Sequence, residues 1–140
     1  MARSDPFVET LATVPLFSAC SKKELAMVAK GAERVSVEAG KVIVTEGAAG
    51  AEFFVIISGA ARVERHGKKV ASLGPGAFFG DLALLDRAPR NASVIAESPM
   101  DLAKLGQRAF DELLDVPGFS KKLLAGLARR LRGEDAKTVG

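Results

Sequence analysis

The sequence predicts a mainly β fold flanked by helices, on three observations. Short β-branched runs separated by glycine fill the middle of the chain, and amphipathic helical patterns occupy both ends. The length, 140 residues, gives one core and leaves no room for a second full domain. Hydrophobic residues at 48% and charged residues at 26% are ordinary globular values that argue against disorder. No uninterrupted apolar run reaches about 18 residues, and Met1–Pro6 lacks a signal-peptide core, so neither export nor membrane spanning is expected. Cys20 is the single cysteine; with no partner for a disulfide or a metal clip it points to a reducing compartment, and a cytoplasmic location is expected. A net charge of +3 is too small an excess to mark a nucleic-acid binder.

Asp5 and Pro6 suit a helix start, and Val14-Pro15 ends that short helix. Ser21-Lys22-Lys23-Glu24 is a capping box: the serine oxygen and the glutamate carboxylate satisfy each other's free backbone donors, with Cys20 and Leu25 as a hydrophobic staple. Leu25, Val28, Ala29 and Ala32 then follow at helical spacing and form one buried face. From about Val35 the pattern turns to strands at 41–45, 52–58, 61–65, 69–73, 91–96 and 100–105, with His66-Gly67-Lys68 as a tight hairpin turn. Many short strands at regular spacing imply a sandwich, jelly roll or small barrel. Residues 107–114 form one short helix; Pro117 opens the last, which Gly133 stops. Phe119, Leu123, Leu124, Leu127 and Leu131 make its apolar stripe, and Lys121, Lys122, Arg129, Arg130 and Arg132 crowd the rest of its surface. Gly126 inside it costs about 1 kcal/mol relative to alanine, so the helix depends on tertiary contacts.

The chemistry sits in 78–94. Gly80 and Asp81 open a short helical segment, Leu82–Leu85, and Arg90 arrives just before a strand. Backbone N–H groups near Leu82 and Ala83 can receive an anion that Arg90 clamps from the other side. Asp81 would repel a phosphate unless it meets a hydroxyl, so the pair suits a ligand carrying both, such as a sugar phosphate. The plainer readings are that Arg90 pairs with Asp81 or Asp86 on the surface and that Asp81 is the N-cap of Leu82–Leu85. Gly74, Gly76 and Gly80 have the wrong spacing for a dinucleotide fingerprint and no βαβ unit around them. His66, the only histidine, leaves no material for a cupin-type metal site or a Ser-His-Asp triad and reads as a turn residue. Phe53, Phe54, Phe78 and Phe79 read as core.

Gly80-Asp81-Leu82-Ala83-Leu84-Leu85 through Pro89-Arg90-Asn91-Ala92-Ser93-Val94 resembles the phosphate-binding cassette of the cyclic-nucleotide-binding domain. Upstream, Ala39–Ile43, Glu46-Gly47-Ala48, Phe53–Gly59 and Leu73–Phe79 extend the resemblance over nearly the whole chain. It implies an eight-stranded antiparallel β-roll, a double-stranded β-helix, with N-terminal helices over 1–34 and the roll over 35–105. The cassette falls at 79–94, the closing B and C helices at 106–133 and a tail at 134–140. It implies a non-enzymatic sensory module whose ligand is cAMP in preference to cGMP, with no cofactor. By that resemblance Asp81, after Gly80 and before Leu82, holds the ribose 2′-hydroxyl, and amides at Ala83 and Asn91, ahead of Ala92, bind the cyclic phosphate. Arg90 pairs with its exocyclic oxygens, Val63, Ala71 and Leu73 line the base pocket, and Leu123, Leu127, Arg130 or Leu131 caps the base.

Two positions depart from the family's pattern. Asp81 stands where the family has Glu, which shortens the reach by about 1.5 Å and favours a water-mediated ribose contact. Asn91 stands where it has Ala, Ser or Thr, and its amide oxygen can accept from a guanine amino group, which keeps cGMP open. Both also favour the alternative of a scaffold that keeps the fold without the ligand. A further alternative is a fragment of a transcription regulator, but only eight residues follow Arg132, too few for a helix-turn-helix, so direct DNA binding is not expected. The basic C-terminal helix is the expected exit for a signal, to a protein partner or a second copy in a homodimer.

Overall fold

The computed structural model describes residues 6–86 and 89–131. Helix α1 (Pro6–Ala12) and a single 3-10 turn (Pro15–Phe17) precede α2 (Lys22–Gly31). The capping box is in place: Glu24 N donates to Ser21 Oγ at 3.1 Å, and Ser21 N donates to Glu24 Oε1 at 2.8 Å. Strands β1 (Ala32–Val37), β2 (Val42–Val44), β3 (Glu52–Ser58), β4 (Ala61–Arg65), β5 (Lys68–Leu73) and β6 (Phe78–Phe79) lead to the short helix α3 (Asp81–Asp86). Strands β7 (Ser93–Ala96) and β8 (Met100–Gly106) complete the roll, and α4 (Gln107–Leu114) and α5 (Pro117–Leu131) follow.

The strands form two antiparallel four-stranded sheets, ordered β1-β8-β3-β6 and β2-β7-β4-β5. The β4–β5 turn is the hairpin the sequence predicts, with His66 at φ 51° and Gly67 at φ 77°, the left-handed pair that a tight two-residue connection requires.

Strand β3 is apolar on both faces because both are covered. Phe53 and Val55 join the helices' core with Leu11, Phe17, Leu25, Phe110 and Phe119. Their neighbours Phe54 and Ile56 point into the roll with Val63, Phe79, Val94 and Leu102. The period-two alternation of a strand is split the same way in β6, Phe78 outward to the helices and Phe79 inward. All four phenylalanines are core, with Phe54 and Phe79 stacked at 5.0 Å.

Several boundaries differ from the sequence expectation; β2 is Val42–Val44 rather than 41–45, and β5 and β8 are each one residue longer than expected. The roll opens at Ala32 rather than near Val35, so Ala32 is not a fourth position of the α2 stripe; β1 pairs with β8 over its whole length, and that pairing overrides the helical spacing. The N-terminal helical region therefore ends at Gly31, not at 34. Strand β7 starts at Ser93, leaving Asn91 and Ala92 in the connection before it. Asp5, the Gly133 stop and the 134–140 tail lie outside the described residues. Among the described residues no helix is long and apolar enough to cross a membrane.

Candidate functional site around Arg90

Arg90 is fixed at its backbone before its side chain is considered. Its N–H donates to Ala48 O at 2.9 Å, and Gly47 N–H donates to its carbonyl at 2.8 Å, so the loop between β2 and β3 holds the residue ahead of β7. The side chain runs inward and is 4% exposed. Nη2 donates to Glu52 O at 2.9 Å and Nη1 to Gly80 O at 3.2 Å. Burial lowers the guanidinium pKa from its ordinary value, and the nearby carboxylates of Glu52 and Asp81 oppose that shift. A buried arginine between two strand ends is not the surface ion pair that a plainer reading of the sequence allows.

Gly80 turns the chain from β6 into α3 with φ +88°. A Cβ there would fall 2.6 Å from Glu52 O and 2.7 Å from Arg90 Nη1, so both backbone conformation and space require glycine. Asp81 is wholly buried. Helix α3 spans Asp81–Asp86, so the buried Asp81 stands at its start, directly after Gly80. Leu82 and Ala83 lie in the first turn of α3, directly after it. The arrangement therefore gathers a buried cation, a buried carboxylate and the first turn of a helix at one end of the roll.

The proposed base wall is also gathered. Val63 pairs with Ala71 and Ala61 with Leu73 across the β4–β5 hairpin, while Val63 also pairs with Val94 in β7. Val63, Leu73 and Ala92 are buried in the roll cluster, with Ala71 packed against it. Asn91 is half-buried, and its carbonyl accepts from Arg65 Nε at 3.1 Å.

Helix α5 is placed differently. Leu123 is buried in the helices' core and Leu127 packs against the same core, on the far side of the sheet from Val63, Ala71 and Leu73. Leu131 is the last residue of α5. The helix rests on Phe78, the residue that leads into Phe79-Gly80-Asp81; a Cβ on Gly126 would lie 2.8 Å from the Phe78 ring. Between α5 and the β5–β6 turn is a cavity of about 370 Å³, lined by Pro15, Ser72–Phe78, Gly126 and Arg129. Leu73 borders it, whereas Arg90 and Asp81 do not.

Sequence reasoning missed Gly50 and the Glu52 carbonyl. Gly50 is one of the glycines between the β-branched runs, yet a Cβ there would fall 2.2 Å from Arg90 Nε. Its one signal was its place in Gly47-Ala-Ala-Gly50, which does not say what it touches.

Residues 34–116 match the family model described as the cyclic nucleotide-binding domain. The chain belongs to that family. It is 37% identical over 137 residues to a cAMP-dependent protein kinase regulatory subunit of Hypocrea atroviridis, covering 98% of this chain and 28% of the relative. The chain thus spans between a quarter and a third of the curated relatives it matches. Thermus thermophilus catabolite activator protein superposes with a TM-score of 0.76 at 32% identity, covering 86% of this chain and 59% of that one. The protein kinase A regulatory CBD2 bound to Sp-2Cl-cAMPS gives a TM-score of 0.76 at 26% identity, covering 94% and 91%. The fold is the family's β-roll with flanking helices, and the module is a regulatory, cyclic-nucleotide-binding one rather than a catalytic one.

Proposed function

We propose that this domain senses a cyclic purine nucleotide, cAMP in preference to cGMP, and breaks no bond in doing so. The observation that carries this reading is the buried Arg90, held by carbonyls of β3 and of the residue before α3. A cation this poorly solvated gains most from a desolvated anion. The exocyclic oxygens of the cyclic phosphate meet Arg90, the amides at Ala83 and Asn91 complete the anion site, and Asp81 takes the ribose 2′-hydroxyl. Val63, Ala71 and Leu73 wall the base. Relatives and solved neighbours named for cAMP support this choice of ligand.

The signal is a population shift of α5. Leu127 packs against the helices' core, so capping of the base by Leu127 or Leu131 requires α5 to leave Phe78 and swing over the roll. The ligand biases that equilibrium only by its differential affinity for the two positions. The output surface is α5, where Leu124 is 65% exposed beside Lys121 and Lys122 and suits a protein partner or a second copy.

Calorimetric titration of the wild type and Arg90→Ala with cAMP and cGMP tests the reading. The wild type binds cAMP more tightly than cGMP, and the variant loses at least about a hundredfold, the scale of removing a charge-assisted pair from a buried site. Equal binding by Arg90→Ala, or no binding of either nucleotide by the wild type, overturns it.

A further inference from the structure

Arg90 is held in place partly by what its neighbours lack. Gly50 lies in the loop before β3, and its φ is outside the left-handed region, so its backbone does not require glycine. Its surroundings do. A Cβ at position 50 would stand 2.2 Å from Arg90 Nε, 2.3 Å from Cζ and 2.7 Å from Nη2, overlapping three atoms of one guanidinium. A surface arginine would swing aside at little cost. Arg90 is 4% exposed and spends N–H donors on Glu52 O and Gly80 O, so moving it breaks both bonds inside the protein.

Gly80 limits the guanidinium from another side, with a would-be Cβ 2.7 Å from Nη1. The two glycines differ in kind. Gly80 answers to its φ of +88° as well as to space, whereas Gly50 answers to space alone. An added methyl at 50 thus acts on Arg90 while leaving the local backbone conformation accessible to alanine.

We infer that Gly50 is a positioning residue of the phosphate site: its bare Cα is the surface against which the Arg90 guanidinium rests, and any side chain there displaces the anchor. The inference rests on the reading of Arg90 as the phosphate anchor. It adds a residue that touches no ligand and acts only through Arg90.

A double-variant cycle with cAMP as probe, joined to NMR of the unliganded protein, tests it. Gly50→Ala weakens cAMP at least tenfold, Arg90→Ala weakens it at least as much, and the double variant is no weaker than Arg90→Ala alone. The Arg90 Nε–H resonance moves in Gly50→Ala and stays in Ala51→Gly. Wild-type affinity in Gly50→Ala, losses that multiply in the double variant, or an unmoved resonance each overturn the inference. If Gly50→Ala fails to fold, adding Arg90→Ala restores folding, because the guanidinium is what the methyl strikes; failure to restore it also overturns the inference. Absence of cAMP binding by the wild type overturns the phosphate reading instead, and the resonance still decides whether Gly50 positions Arg90.

Discussion

On the proposed reading of the site, one methylene at position 81 sets how the ribose is held. Asp81 is wholly buried at the first position of α3, where the family pattern has the longer glutamate. A carboxylate about 1.5 Å short reaches a 2′-hydroxyl through water, and a bridging water discriminates less sharply than a direct charged hydrogen bond worth about 1.5–3 kcal/mol. Asp81→Glu is therefore expected to raise the preference for cAMP over 2′-deoxy-cAMP about tenfold, read by parallel calorimetric titrations. The extra methylene enters a packed site and lowers stability by about 1–3 kcal/mol, so affinity and stability move in opposite directions. An unchanged preference would remove the ribose role from Asp81.

At the scale of elements, α5 contains a conflict that Gly126 settles. Alanine is the better helix former by about 1 kcal/mol, yet a Cβ at 126 would lie 2.8 Å and 3.0 Å from two atoms of the Phe78 ring. That ring is 8% exposed and belongs to the helices' core, so it cannot move away freely. Gly126→Ala is expected to lower the melting temperature, and Gly126→Ala with Phe78→Leu to melt above Phe78→Leu alone, because the smaller side chain leaves only the gain in helix propensity. Thermal melts followed by circular dichroism give both signs; a stabilising single substitution would refute the close approach of α5 to Phe78. The elements legible in the sequence are those with local causes. Ser21 and Glu24 close their capping box within one turn, and His66-Gly67 sets its hairpin by its own dihedrals. Strand β6 was missed because two residues carry no period, and only pairing of Phe78 and Phe79 with Val55 and Phe54 makes them a strand. Strand β1 was missed and the roll's start placed near Val35 for a similar reason, since β8 rather than the neighbouring sequence decides where α2 gives way. That Gly80, Asp81 and Arg90 belong to one site was legible because they lie in one continuous motif. Gly50 was not, because its need for glycine comes from a contact 40 residues away in the chain.

For the molecule as a whole, β3, β6 and β8 tie the two clusters together. Phe53 and Phe54, Phe78 and Phe79, and Leu102 and Ala103 each send adjacent side chains to opposite cores. Neither core can open without exposing the other, so a single cooperative transition is expected. The proposed anion site lies across the same seam, since Arg90 joins the starts of β3 and α3 through Glu52 and Gly80. A ligand bound there and not to the unfolded chain stabilises the whole domain by mass action, about 2.7 kcal/mol at a hundred times Kd. At about 3 °C per kcal/mol for a domain of this size, cAMP at that concentration is expected to raise the midpoint by about 8 °C. Scanning calorimetry should show one peak that shifts intact with cAMP and does not shift with adenosine, which lacks the phosphate. In Arg90→Ala the peak should shift by no more than about 1 °C at the same cAMP concentration. A peak that splits on binding would mean that the cores unfold separately, and an equal shift in Arg90→Ala would place the stabilising contact away from the arginine.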